Sequence, residues 1–397
     1  MSGARMRQTI ASAEVDASPR ETTVRTHHQC VGCGARRSLY RYRSFVRADA
    51  NHTLCLRCYR GLRDSMRAFP RPDGVCFPVG CSKGVPVTTT EIAIDAIRGV
   101  TFGPETRFQN LTMTPIIRDD DRCPDYVTLD EALGKGWAEI TEVNDGGQVS
   151  ELKIVVKGTA PVLLLDGEEL IGAKQNRVLN LTILAPAQRA TVIPVSCVES
   201  GRWRRMSRSF SSSPRTQFAE GRAAKMRQVT ASLSAAGHRA SDQHDVWRRI
   251  ADKSSRLNAM SDTSAMSALF EKVDTGLDEF VCAFTPLERQ VGAVFYINDE
   301  PVGLELFDAS DTWRKLSAKL IRSFAVDAID RNRRRAATSG TPAPTVFVAA
   351  VASSAASAFA AAGEGDDVRF NGSEIAAAAL VAHGRVIHLS AFPVGVR

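Results

Sequence analysis

From residue 91 onward the apolar positions fall mostly in short runs, rich in β-branched residues and bounded by turn formers, which is strand rather than helix patterning. Three runs stand together at 162–165, 178–184 and 192–198, separated by Asp166-Gly167, Gly172-Ala173 and Ala185-Pro186-Ala187. Further strands are predicted at 108–119, 137–143, 152–156, 161–165 and 346–351. Strict alternation in 191–199 places Ile193, Val195, Cys197 and Glu199 on one face. Hairpins are predicted around Asp166-Gly167, Asn298-Asp299 and His383-Gly384. Their similar cadence is what turn chemistry alone would give, and an internal duplication is the alternative.

Helical spacing is confined to a few segments. Residues 312–329 carry Trp313, Leu316, Leu320, Phe324 and Ala328 near one face, and 92–100 is amphipathic. Thr128-Leu129-Asp130-Glu131 reads as a capping box opening a short helix. A helical insertion is predicted at about 204–280. It would begin with a mobile basic loop, because residues 202–227 hold eight basic residues against one acid and Ser209–Ser213 contains four serines. Within the insertion Trp247 reads as core. An Ala-rich helix is expected after residue 351. No regular βαβ series is present, so the fold class is α+β, with a large, mainly antiparallel β-rich domain.

Composition changes the picture mainly at the N-terminus. Residues 1–70 contain 13 Arg, no Lys and 5 acids, a net charge of +8, while the whole chain carries +7. The basic character therefore belongs to that end. Residues 1–26 read as a flexible arm. In 27–68, Cys30-x2-Cys33 and Cys55-x2-Cys58 have the spacing of four-cysteine zinc ribbons and treble clefs. Four thiolates close a tetrahedron, so the expected Zn2+ is structural and worth on the order of 10–16 kcal/mol to the module. Arginines interleaved with Tyr40, Tyr42, Phe45 and Tyr59 suit nucleic-acid contact, and a solvated basic surface or a protein-docking module is the equal alternative. Residues 69–90 read as a Pro/Gly-rich linker, with Cys76 and Cys81 taken as structural, and 91–397 as the β-rich core domain. Residues 1–24 lack the apolar stretch of a secretory signal, and the run 345–363 is too weakly apolar for a membrane span. A cytoplasmic protein with no membrane partner is the expectation.

Polar residues gather at the ends of the central strands, where sites are usually built. Glu168, Glu169 and Glu199 are candidate general bases, and Cys197 a candidate nucleophile. Gln175 and Asn176 would orient a ligand. Arg177, Arg202 and Arg204 would grip phosphate through their forked donors, and Trp203 would stack a base. Plain alternatives stand beside each: Cys197 as a buried apolar residue, Glu168 and Arg177 as an ion pair, His383 and His388 as turn and strand residues. No Gly-rich phosphate loop, His-Glu-x-x-His or Gly-x-Ser-x-Gly motif occurs.

The stretches LLLDGEELIGAKQNRVLN (163–180) and IPVSCVESGRW (193–203), with GRVIHLSAF (384–392), resemble the ADP-ribosylglycohydrolase- and rhodanese/phosphatase-superfamily-associated protein domain family over about 90–395. The resemblance leaves the zinc module outside. It implies a core that binds or processes a phosphorylated nucleotide such as ADP-ribose or NAD. The alternative is a non-catalytic sensor or adaptor whose zinc module binds nucleic acid or a protein.

Overall fold

The computed structural model describes residues 87–120, 122–144, 146–332 and 341–395. Cys30, Cys33, Cys55 and Cys58 of the zinc module, and Cys76 and Cys81 of the linker, lie outside the described residues. The remainder is α+β, built on one large antiparallel sheet, a closed six-stranded barrel and a small three-stranded sheet.

The large sheet takes β1 (Thr101–Phe102), β2 (Thr106–Phe108), β3 (Leu111–Ile117), β13 (Gln290–Ile297), β14 (Glu300–Phe307), β15 (Ala355–Ala360), β16 (Asp366–Asn371), β17 (Ile375–Ala382) and β18 (Arg385–Pro393). They run in the order β1-β3-β13-β14-β18-β17-β16-β15, with β2 also on β3. All eight residues of β13 are buried, which requires cover on both faces. Val291 and Val294 point to one core, with Ile97 of α1 (Thr89–Arg98) and Val351 of α8 (Pro344–Ser353). Ala293 and Phe295 point to the other, with Leu320 and Phe324 of α7 (Ser310–Arg331). Phe295 and Phe324 stack at 4.0 Å between centroids. The helix comes so near that a Cβ on Gly303 would lie 2.7 Å from the Phe324 ring.

The barrel closes in the order β11-β6-β5-β12-β8-β9. Its strands are β5 (Ala138–Glu142), β6 (Glu151–Val156), β8 (Glu168–Gly172), β9 (Arg177–Leu179), β11 (Ala190–Cys197) and β12 (Phe210–Thr216). Alternate residues of β5 and β6 are buried, and Ile140, Leu152, Ile154, Leu170, Val195 and Phe210 fill the interior as a packed core. Beside it β10 (Ile183–Ala185), β7 (Val162–Leu164) and β4 (Val127–Thr128) pair, with β4 parallel to β7. The capping box forms as read, Thr128 opening α2 (Leu129–Gly134) with Glu131 returning to the Thr128 N–H. The remaining helices α3 (Ala219–Ala236), α4 (Gln243–Leu257), α5 (Ser267–Lys272) and α6 (Asp274–Ala283) fall within the predicted insertion.

Four expectations are corrected. Asp166-Gly167 does not turn a hairpin: β7 pairs with β10 and β4, β8 with β9 and β12, so the turn hands the chain from one sheet to another. Residues 210–216 are not a mobile loop but the barrel strand β12, because Phe210, Ser213 and Thr216 are buried and the backbone is paired with β8. The run 346–351 is helical, opened by Pro344 at the first helical turn, where its missing N–H costs nothing. The Ala-rich stretch after it is strand β15, paired along its length with β16. The hairpins at Asn298-Asp299 and His383-Gly384 form as read, with positive φ at both turn residues of each.

A candidate ligand site at the mouth of the barrel

Register places the site. Arg177 opens β9 opposite Cys197 at the end of β11 and opposite Leu170 on β8. Two residues on, Leu179 lies in the barrel core, so Arg177 also points inward, at the mouth. Val195 and Cys197 repeat the pattern on β11. Beyond Cys197 the ladder stops, and Glu199 makes an isolated bridge with Ala265.

Arg202 holds the two loops of this mouth together. Its Nε and Nη2 donate to Glu199 Oε2 at 2.8 and 2.7 Å, its Nη1 to the Ala173 carbonyl at 3.0 Å, and its Nη2 also to Asn176 Oδ1 at 3.0 Å. Glu199 is thereby filled: Oε2 also accepts the Asn176 N–H at 3.1 Å and Oε1 the Thr263 hydroxyl at 2.9 Å. Burial works against its charge, but Arg202, the Asn176 N–H and Thr263 outweigh it and hold the carboxyl below the usual glutamate range. Gln175 spans the gap, donating to the Glu199 carbonyl at 3.0 Å and accepting from Arg177 Nη1 at 2.8 Å.

Arg177 is different. It is fully buried, and beyond Gln175 its Nε and Nη2 find no hydrogen-bond partner among the described residues. Burial pushes its guanidinium down from the usual arginine value, while Cys197 and Glu142 act the other way. Glu142, the last residue of β5, faces inward with Ala138 and Ile140 and is 7% exposed. Neither of its carboxylate oxygens has a hydrogen-bond partner among the described residues. Trp203 lies over the mouth, with Arg177 Cζ 5.7 Å and Lys174 Nζ 5.2 Å from its ring centroid. Its indole is 49% exposed. Burial pushes the Cys197 thiol up, and the Glu199 backbone and Arg177 oppose this only in part, so the protonated thiol is its resting form at neutral pH.

The structure therefore brings Gln175, Asn176, Arg177, Cys197, Glu199, Arg202 and Trp203 together, and not Glu168, Glu169 or Arg204. Glu168 Oε1 is bound by Lys319 Nζ at 2.5 Å, and its Oε2 accepts the Leu165 N–H at 3.2 Å. Glu169 accepts from Ser213 and from Arg215 Nε, each at 3.0 Å. Both carboxyls are buried on neighbouring residues of β8, away from the mouth, and burial pushes both up. Arg204 is exposed. Glu142 was not among the sequence candidates. The available signal was a carboxylate on the inward phase of Ala138-x-Ile140-x-Glu142. No group of His, Cys, Asp and Glu among the described residues is arranged to hold a metal ion.

A family model matches residues 99–392, a span that includes both loops of this mouth and most of the large sheet. The chain belongs to the ARG and Rhodanese-Phosphatase-superfamily-associated Protein domain family. The match begins after α1 and covers every strand of the barrel. No curated protein and no solved structure matches the chain. Within this family member no described helix is long and apolar enough to cross a membrane.

Proposed function

We propose that the barrel mouth binds a phosphorylated nucleotide of the ADP-ribose class, NAD included. The observation that carries this reading is Arg177: a fully buried guanidinium with two donors unused. Leaving a buried charge without counter-charge or hydrogen bonds costs several kcal/mol, and folds keep such groups where a ligand completes them. Two adjacent guanidinium N–H groups match the two oxygens of a phosphate. The unpartnered Glu142 carboxylate suits a ribose hydroxyl donor, and the half-exposed Trp203 indole offers a face for the adenine. The ADP-ribose class itself is what the sequence resemblance implies.

The reading is one of binding. Both Glu199 oxygens accept hydrogen bonds and Cys197 rests as a thiol, so catalytic roles for Glu168, Glu199 and Cys197 would need a change of partners on ligand entry. Calorimetric titration tests the proposal. ADP-ribose is expected to bind more tightly than adenosine, which lacks the phosphate, or ribose 5-phosphate, which lacks the adenine. Arg177→Gln should weaken it by roughly 10- to 100-fold, the worth of a charged hydrogen-bond pair. Equal, weak heats for every compound would overturn the assignment. Incubation with NAD or ADP-ribose, read by chromatography, should return the ligand unchanged.

A further inference from the structure

A second polar cluster lies outside the barrel mouth, where the loop after β9 meets the large sheet. Thr182 Oγ1 lies 2.8 Å from His388 Nδ1, and His388 Nε2 lies 2.9 Å from Glu305 Oε2. The other oxygen of Glu305 accepts from Arg222 Nη1 at 2.6 Å. Phe307 stacks on the imidazole at 4.5 Å between centroids and fixes its plane. A carboxylate paired with arginine only accepts, so His388 must carry its proton on Nε2. With the imidazole neutral, its Nδ1 is an acceptor and Thr182 the donor.

Burial grades along this chain of contacts. His388 is 1% exposed and Glu305 is fully buried, whereas Thr182 is only half-buried. Thr182 and His388 line one cleft together with Asn180, Arg369, Ala378 and Ser390. The cleft encloses about 270 Å³ counting the solvent in its mouth, with room for about one water at its bottom. A hydroxyl on a half-buried residue lining a cleft, an imidazole beside it, and a buried carboxylate orienting that imidazole have the connectivity of an activated nucleophile. A purely structural histidine would not need its hydroxyl partner at the lip of a cleft.

We propose that Thr182 is an acyl-accepting nucleophile, with His388 as its base and Glu305 as the positioning residue, for esters of short acyl groups. The floor has room for about one water only, so the acyl group would sit in the open mouth of the cleft, which favours short chains. Arg369 stands in the same wall with its charge matched by Asp367, which it binds through Nε and Nη2 and which also lines the cleft. In the first step Thr182 Oγ1 bonds to the carbonyl carbon and its proton passes to His388 Nδ1. The carbon–oxygen bond to the leaving alcohol then breaks, and that alcohol departs with the proton. Water repeats the sequence, releasing the carboxylic acid and restoring the Thr182 hydroxyl.

The test is hydrolysis of p-nitrophenyl acetate by the full chain, read with mass spectrometry of the quenched protein. Wild type is expected to release nitrophenol catalytically and to carry one acetyl group on the peptide containing Thr182. Thr182→Val, which keeps the side-chain shape, should lower the rate by roughly 10²–10⁴-fold with the melting temperature retained, and Thr182→Ser should restore it. Glu305→Gln should lower kcat and leave KM unchanged, the mark of orientation rather than binding. Equal rates for wild type and Thr182→Val, no turnover by wild type, or acetylation elsewhere only, would each overturn the proposal. ADP-ribose binding is unaffected by these substitutions, so failure here leaves the barrel-mouth reading to its own test.

Discussion

At the scale of single residues, the mouth of the barrel divides into groups that are satisfied and groups that are not. Glu199 and Arg202 belong to the first kind. Because the folded Glu199 carboxyl titrates below its ordinary value, its contribution to stability is complete above the usual glutamate range. That contribution is lost as pH falls through the lower folded value. Arg202→Ala should therefore destabilise by about 3–5 kcal/mol near neutral pH, the cost of leaving a buried carboxylate unpaired, and by less in acid. Chemical denaturation at a series of pH values checks this; a penalty independent of pH would contradict it. The residues of this clamp were legible as polar groups crowded at strand ends. The roles of individual carboxylates were not, since sequence adjacency says nothing about which buried cation each one meets. Glu168 meets Lys319, 151 positions along, and Glu169 meets Arg215.

At the scale of elements, local chemistry was readable where it decides geometry by itself. Residues of positive φ at Asn298-Asp299 and His383-Gly384 fix their hairpins, and the Thr128 box fixes the start of α2. Elements decided by distant partners were not readable. The Ser-rich β12 holds its place because β8 pairs with it, and α8 because its apolar residues share a core with α1 on one face of the large sheet. A short apolar run cannot by itself choose between strand and helix. The contact of α7 with β14 yields its own prediction. Gly303→Ala would drive a methyl into the Phe324 ring, and overpacking of that kind costs about 1–3 kcal/mol. A thermal melt showing no loss would mean that α7 shifts freely on the sheet.

At the scale of the whole molecule, the barrel is a filled core with buried polar groups at one mouth, while the large sheet is covered on both faces. The basic cysteine module is a proposal from spacing alone. Cys30, Cys33, Cys55 and Cys58 are expected to hold one structural zinc, and the surrounding arginines to contact nucleic acid or a protein. Cys30→Ser should abolish the zinc found by metal analysis of the purified chain; unchanged zinc content would remove the assignment. The core reading stands apart from that outcome, since it rests on two charged side chains, Arg177 and Glu142, kept buried and incompletely satisfied. Groups retained for a ligand are a burden to the empty fold, and replacing both by apolar residues of similar size should relieve it. The most direct test is the thermal melt of the double variant Glu142→Met, Arg177→Met with and without ADP-ribose. A melting temperature at or above that of wild type is expected, together with loss of the ligand-induced rise. A lower melting temperature with the ligand-induced rise intact would contradict the core reading.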